Sequence, residues 1–263
     1  MLFVSDVHGA IEPLRRLVDR HERIVILGDL ANLTDYRSGE GAVADVLGLE
    51  FARASAEARA SGDYAGMRAL WMERVGERFE EVRAEIGRAI DRQYDDVAEA
   101  LSGGNGLVIH GNVDRPRRLV ESLPDGFRYV HGETVDMDGL RFGFVGGGIE
   151  TPLSVEGEVS DEEMTSLLGG LGSVDVLCTH VPAAVRSMRH DVITGKDERG
   201  SGPIRDYLLE HQPRFHLFGD VHQPQATTWR LGATRCFNAG YFRATGRFLR
   251  LESTTVHVGR IRR

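Results

Sequence analysis

Near its N-terminus the chain reads Leu2-Phe3-Val4-Ser5-Asp6-Val7-His8-Gly9. The apolar run is typical of a buried strand, and Asp6 and His8 follow where that strand should end. Because side chains alternate along an extended chain, we expect these two residues to point to the same side. Gly9 then permits a sharp turn into Ile11–Arg20, which has helical spacing. The segment predicts a polar site at the carboxyl end of a strand, although an N-cap or a surface hydrogen bond would also explain the pair.

The second predicted strand repeats this pattern. Arg23-Ile24-Val25-Ile26-Leu27 is almost entirely apolar, as in strands that are buried on both faces of a parallel sheet, and Gly28-Asp29 follows it. A strand–helix–strand unit crosses over in the right-handed sense, so Asp29 should reach the same sheet edge as Asp6 and His8. The alternative is that Gly28-Asp29 forms only a turn.

Length and composition favour one α/β domain that spans residues 1–263. Of the 263 residues, 41% are hydrophobic and 27% are charged, which is enough to bury a substantial core. The net charge of -8 argues against broad binding to nucleic acid or to an anionic membrane. No apolar run approaches the roughly 20 residues that cross a bilayer, and we expect no signal peptide. Cys178 and Cys236 lie in apolar runs and should be reduced, so we expect a cytoplasmic protein.

Residues 35–101 are predicted to form a helical insertion. They are rich in Ala, Arg and Glu, contain no proline, and carry two apolar series of helical spacing on either side of Ser61-Gly62-Asp63. A continuous second helix from Met67 to Leu101 would be about 55 Å long, so part of it should project, unless Gly76 or Gly87 breaks it. We expect its apolar stripe to pack against the other arm, the core or a second copy of the chain in a homo-oligomer. A lid over the site is the alternative.

Polar residues also follow the remaining core strands. The three further strand ends are Leu107–His110 before Gly111-Asn112-Val113-Asp114, Val174–Cys178 before Thr179-His180, and Phe215–Phe218 before Gly219-Asp220-Val221-His222. Five strands thus deliver an oxygen or imidazole ligand at the same relative place, which predicts a centre of two divalent metal ions. Carboxylate, amide and imidazole ligands without thiolate suit Mn, Fe or Zn.

Other segments fill in the predicted sheet framework. Arg128–Asp136 and Leu140–Gly146 should pair as a hairpin, because Asp138-Gly139 favours a tight turn. Strands at Ala226–Trp229, Thr234–Asn238 and Phe248–Val258 should close the fold.

The ordered motifs resemble the signature of the calcineurin-like metallophosphoesterases over nearly the whole chain. That signature is D-x-H, G-D, G-N-x-[D/E] with His common at x, a later His, and G-H-x-H. The resemblance implies a four-layered α/β/β/α sandwich with the helical insertion within it. It also implies that one metal is held by Asp6, His8, Asp29 and His222, and the other by Asn112, His180, Asp220 and a bridging Asp29.

Two positions depart from the family pattern. Val113 stands where many members have the His that contacts phosphate and protonates the leaving group. A poor leaving group would then need its proton from water or from another side chain, for which Asp114 is the candidate catalytic residue, and phosphodiesters or substrates with good leaving groups are favoured. Asp220 stands where the pattern has His.

The Asp220 position should alter the charge of the site. Two divalent ions, two aspartates and a hydroxide leave about +1 with His at this position but about zero with Asp. We therefore expect a harder ion, with Mn favoured, and a preference for monoanionic diesters over dianionic monoesters. The alternative is that Asp220 only bonds a neighbour and a single metal is held.

The sequence thus predicts a phosphoesterase that acts by metal-assisted attack of hydroxide on a phosphate ester. Asn32 and Arg115 are candidate substrate-binding residues, although an Arg before Pro116 is also typical of a solvated loop, and residues 182–203 should form a rim loop that contacts the leaving group. The alternative function is a protein-binding scaffold of the same fold, with the helical hairpin as its partner surface. The sequence does not choose among nucleotides, nucleic-acid ends, phosphoproteins and lipid precursors as substrates.

Overall fold

Two six-stranded sheets dominate the structure. The computed structural model describes residues 1–35, 37–152, 154–193 and 195–261. Its strands are β1 (Leu2–Val4), β2 (Ile24–Leu27), β3 (Gly106–Ile109), β4 (Phe127–Tyr129), β5 (Glu133–Met137), β6 (Leu140–Val145), β7 (Gly148–Ile149), β8 (Glu158–Val159), β9 (Val176–Thr179), β10 (Phe215–Phe218), β11 (Thr228–Leu231), β12 (Thr234–Asn238), β13 (Arg247–Glu252) and β14 (Thr255–Arg260).

Helices connect these strands. They are α1 (Ile11–Val18), α2 (Ala42–Leu47), α3 (Leu49–Ala60), α4 (Tyr64–Val75), α5 (Phe79–Leu101), α6 (Pro116–Ser122), α7 (Asp161–Leu171), α8 (Arg186–Arg189), α9 (Gly202–His211) and α10 (Phe242–Thr245). Among the described residues, no helix is both long and apolar enough to span a membrane.

The first sheet has the order β14-β13-β1-β2-β3-β4, and the second has the order β11-β12-β10-β9-β6-β5. In the first sheet, β1 to β4 run parallel, with Val4 opposite Ile26 and Leu27 opposite Ile109. In the second sheet, β12, β10, β9 and β6 are parallel neighbours. The parallel strands end at one edge in each sheet, which is where ligand sites collect in open α/β sheets.

Three apolar clusters define four layers. One cluster joins the facing sides of the two sheets, where the rings of Phe3 and Phe142 stack at 6.3 Å. A second cluster packs α1 and α5 on the outer face of the first sheet, and a third packs α7 and α9 on the outer face of the second sheet. The expected α/β/β/α sandwich is therefore confirmed.

Among the described residues of the predicted insertion there are four α-helices, α2 to α5, rather than two. Gly48 and Gly76 have φ angles of 90° and 49° and separate successive helices, because a left-handed conformation is cheap only without a Cβ. Gly87 lies inside α5 and does not break it. The last of these helices, α5, packs on α1 and buries Ile90, and so forms part of the outer layer of the sandwich. The limits of the insertion as a separate unit stay a prediction.

One predicted strand is wrong. Residues 128–136 do not form one arm of a hairpin, because β4 pairs with β3 in the first sheet whereas β5 pairs with β6 in the second. The chain crosses between the sheets at Gly132, whose φ is 68°. The turn at Asp138-Gly139 does join β5 to β6 as an antiparallel pair, with Met137 opposite Leu140.

The layer assignment makes Phe144 a test of the inter-sheet core, because its side chain is fully buried there. We expect Phe144→Ala to lower the free energy of unfolding by about 3–5 kcal/mol, through lost burial and the cavity that remains. The control is Met72→Ala in α4, where the side chain is 58% exposed and the change should stay within about 0.5 kcal/mol. Equal losses in denaturant unfolding would contradict the layered arrangement.

Candidate metal centre

The strand ends that were predicted to carry ligands leave the extended conformation abruptly. Asp6, His8, Asp29 and Asp220 all have φ angles between 42° and 66°, which non-glycine residues rarely adopt. Strain of this kind costs on the order of 1–3 kcal/mol per residue and is typical of functional sites. Asp6 and His8 do come together, but not through strand alternation as predicted. Strand β1 ends at Val4, and a left-handed turn places the two side chains instead.

These turns gather two clusters of metal-binding side chains. One consists of Asp6, His8 and His222, and the other of Asp6, Asp29 and His180, and within each cluster the ligand atoms lie within 4.8 Å of one another. Nε2 of His222 is 3.2 Å from Oδ1 of Asp6, and Nε2 of His180 is 3.5 Å from Oδ2 of Asp29. Oδ2 of Asp29 is also 3.6 Å from Nε2 of His8, so this carboxylate faces both clusters.

The other two predicted ligands lie beside the second cluster. Oδ1 of Asn112 is 3.2 Å from Nε2 of His180, and Oδ1 of Asp220 is 3.8 Å from the same nitrogen. All seven residues predicted as metal ligands are thus brought to one place, although their coordination of metal stays a prediction.

The hydrogen bonds of the buried imidazoles leave their Nε2 atoms in a position to bind a cation. Nδ1 of His8 donates to the carbonyl of Ala31 at 3.1 Å, so in the neutral ring the lone pair is on Nε2. That Nε2 is buried without a hydrogen-bond partner, and it stands 3.9 Å from Oδ1 of Asp6, too far for a hydrogen bond. Nδ1 of His180 donates in the same way to the carbonyl of Leu27 at 2.7 Å. Backbone bonds of this type orient imidazoles that bind metals.

Burial and neighbouring charges shift the pKa values of Asp29, His8 and Asp220 in different directions. Burial opposes ionisation of Asp29, but the positive charge of His180 and its hydrogen bond outweigh burial and hold the pKa of Asp29 below its usual range. Burial lowers the pKa of His8 and keeps this ring neutral. Burial raises the pKa of Asp220 to about 7, against the charge of His180 and with the help of Asp6 and Asp29.

A cavity of about 450 Å³ opens over the cluster. On the metal side it is lined by His8, Asp29, Asn112, Val113, Asp220 and His222. Its opposite wall combines the tip of the helical insertion, residues 59–62 and Tyr64, with residues 196–199 of the predicted rim loop. Nζ of Lys196 donates to the carbonyl of Ala60 at 3.4 Å and joins the two parts of this wall.

Comparison with solved structures finds the same fold elsewhere. One crystal structure aligns over 98% of this chain and 97% of its own, with a TM-score of 0.65 and 16% identity. The crystal structure of TT1561 of Thermus thermophilus aligns over 99% and 98%, with a TM-score of 0.53 and 15% identity. An archaeal phosphodiesterase aligns over 98% and 96%, but its TM-score of 0.39 at 12% identity is too low to support an argument.

The chain shares the four-layered α/β/β/α fold of the first two of these structures. At such low identity the similarity shows the fold alone. No family model matches the sequence, and no curated protein matches it.

Asp114, the predicted catalytic residue, lies behind the strand ends. Its carboxylate accepts hydrogen bonds from the backbone amides of residues 29–31 and of Gly111, and from the hydroxyl of Tyr94, at 2.7–3.3 Å. It is 2% exposed and does not line the cavity. These contacts hold the turn that carries Asp29, so they support a positioning role for Asp114 rather than a direct catalytic one.

The two predicted substrate-binding residues also lie outside the cavity that contains the cluster. Asn32 lines a second cavity, together with His8 and Arg243, and its amide donates to the carbonyl of Glu40 at 3.2 Å. Arg115 lines neither cavity, and its guanidinium lies against Gly87 of α5. The geometry therefore does not support contact of either side chain with a phosphate held at the cluster.

Tyr241 is a residue of the site that the sequence analysis missed. Its ring stacks on His222 at 4.0 Å and meets the edge of His8 at 5.6 Å. Its hydroxyl donates to Asp35, which also accepts from Arg243 at 3.3 Å. Tyr241 follows Asn238-Ala239-Gly240 at the end of β12, so the rule that polar residues follow strand ends could have found it.

Removal of the Tyr241 ring should weaken metal binding, because the ring packs against two of the predicted ligand imidazoles, His222 and His8. We expect Tyr241→Leu to lower Mn affinity about 10-fold or more, and Tyr241→Phe, which keeps the ring, to recover most of it. Calorimetric titration of the metal-free protein measures both. Tyr207→Phe, which removes a hydroxyl on α9 far from the cluster, should bind Mn like the parent. Equal affinity of the parent and Tyr241→Leu would contradict this role.

Metal binding should release protons, because metal ligands must be deprotonated. Because burial raises the pKa of Asp220 to about 7, part of this carboxyl is protonated near pH 7 in the metal-free protein, so Asp220→Asn should release fewer protons than the parent there. The difference should grow toward one proton at lower pH and vanish at higher pH. Calorimetry in two buffers of different ionisation enthalpy measures it, with Asp136→Asn on the exposed surface as the control. Equal release by parent and Asp220→Asn would show that Asp220 is not a ligand.

Proposed function

We propose that the protein is a metallophosphoesterase of the calcineurin-like type that hydrolyses phosphodiesters or activated phosphate esters. The observation that carries the proposal is the buried convergence of Asp6, Asp29 and His180, with the unpartnered Nε2 of His8 beside them. Buried polar atoms normally have a hydrogen-bond or charge partner, and two divalent cations would supply the missing partners here.

The donor set suggests how two ions would be held. Asp6, His8 and His222 would hold one, and Asn112, His180 and Asp220 the other, with Asp29 shared between them. Mn is favoured over Fe or Zn, since four of the seven ligands are carboxylate or amide groups. When bound, the two ions would supply positive charge that polarises the phosphate and lowers the pKa of water.

Side chains and backbone carbonyls of the site would orient the ligand imidazoles and the bound substrate. The carbonyls of Leu27 and Ala31 fix the rings of His180 and His8, so that both Nε2 atoms face the carboxylate of Asp29. Val113 lines the cavity and adds no charge to it. Substrate would enter through the cavity with its phosphate against the cluster and its leaving group toward the opposite wall.

The negative charge of Asp220 supports a preference for diesters. With this residue ionised, the loaded centre carries about one positive charge less than with a His, so a dianionic monoester loses more attraction than a monoanionic diester. The site therefore favours substrates that carry a single negative charge on the phosphorus being attacked.

Hydrolysis of bis(p-nitrophenyl) phosphate in the presence of Mn tests the function. We expect turnover by the parent, a loss of about 100-fold or more in Asp29→Asn, and little effect of the exposed Asp136→Asn. In Asp220→His, the rate with p-nitrophenyl phosphate should rise relative to the diester rate by several-fold.

The outcomes separate the parts of this proposal. An unchanged ratio of monoester to diester rates in Asp220→His would remove the charge argument. Absence of both Mn binding and turnover in the parent would favour the alternative of a protein-binding scaffold.

A further inference from the structure

Among the described residues on the metal side of the cavity, none is an uncommitted proton donor for the leaving group. Val113 occupies the wall next to Asn112 and has no titratable group. The carboxylate of Asp114 is engaged by backbone amides and by Tyr94, and it does not reach the cavity. The hydroxyl of Tyr241 is used in its bond to Asp35. The remaining candidate side chains lie on the opposite wall, with water as the alternative donor.

Glu198 is the acid on that wall whose side chain is uncommitted. It lines the cavity, and its carboxylate makes no hydrogen bond or ion pair with any residue that the structure describes. The backbone holds it in place, because its amide donates to the carbonyl of Arg189 and Nη1 of Arg189 donates to its carbonyl, both at 2.8 Å.

Asp191, Asp197 and Glu158 also line the cavity, and their carboxylates are engaged. Asp197 pairs with Arg186 at 3.0 Å and with His190 at 2.8 Å. Asp191 accepts from two backbone amides, and Glu158 accepts from the amide and the hydroxyl of Thr151. Glu198 therefore differs from them in having its carboxyl open to the cavity.

Glu198 lines the same cavity as the cluster, and the charges around it suit it to carry a proton. Its negative charge raises the pKa of Asp220, and the positive charge of His222 acts on Glu198 in turn. Burial and the charge of Asp191 raise the pKa of Glu198, while His222 and Lys196 oppose this rise without cancelling it. Its carboxyl is thus protonated at higher pH than that of an ordinary glutamate.

We propose that Glu198 is the general acid that protonates the leaving-group oxygen. This inference rests on the proposed phosphoesterase function. In the step, the phosphorus–oxygen bond to the leaving group breaks, and its electron pair stays on the leaving oxygen, which takes the proton of the Glu198 carboxyl. The oxygen of a water molecule forms the new bond to phosphorus and its proton goes to solvent, from which the Glu198 carboxylate regains a proton. Acid catalysis of this kind contributes about 10²–10⁴-fold.

A series of methyl aryl phosphodiesters tests this role. The aryl groups are 2,4-dinitrophenyl, 4-nitrophenyl and phenyl, in order of increasing need for a proton. With Mn-loaded protein, we expect the loss of kcat in Glu198→Gln to grow along the series and to be about 100-fold larger for phenyl than for 2,4-dinitrophenyl. Asp197→Asn, which alters the neighbouring acid, should keep the slope of the parent.

Two further readouts separate catalysis from structure. The parent's rate with the phenyl ester should fall at high pH as Glu198 loses its proton, and Glu198→Gln should lack this limb. Mn and inorganic phosphate should bind Glu198→Gln with affinities within about twofold of the parent by calorimetry, because the residue is outside the predicted ligand set.

Each outcome decides a different point. An equal loss across the three esters, or a large loss of Mn affinity, would overturn the role as general acid while leaving the phosphoesterase function intact. Failure of the Mn-loaded parent to hydrolyse any of the esters would refute the proposed function and this inference with it.

Discussion

The structure depends on holding the carboxylates of Asp6 and Asp29 side by side and away from water. Two like charges repel strongly in a buried setting, so the surrounding chain must compensate for them. His180 and His222 supply positive charge, and the amides of Asp220 and Val113 donate to Asp6 and Asp29 at 3.1 Å. The left-handed turns, the buried Asp114 and the stacked Tyr241 all serve this arrangement.

Much of this arrangement could be predicted from sequence because it follows from strand periodicity. Apolar runs marked the central strands, and the topology of parallel sheets required their polar ends to meet, so Asp6, Asp29, Asn112, His180 and His222 were found together. The role of Asp114 could not be found in this way. Its partners are backbone amides and Tyr94 from separate segments of the chain, and the pattern of side chains in the sequence does not predict such contacts. For Arg115, the sequence argument for contact with substrate is only that the residue follows Asp114 in the chain.

In the helical insertion, the apolar periodicity predicts helices but not where they pack. Its apolar stripe was visible, yet the stripe does not say which helices cover a sheet and which extend from it. In the structure, α5 covers the first sheet, whereas the turn between α3 and α4 reaches the cavity. Glycine was the useful marker at Gly76 but not at Gly87, since only the former requires a left-handed backbone. Local sequence did not distinguish the two positions.

The pairing of β1 with β13 affects how the protein folds during its synthesis on the ribosome. Leu2 lies opposite Arg250, and Asp6 meets His222 across 216 positions of the chain. A nascent chain therefore carries Asp6 long before His180, His222 and strand β13 emerge. Contacts of such long range close late and fold slowly. Until then, the side of β1 that will pair with β13 stays open, so this strand is synthesised long before its pairing is complete.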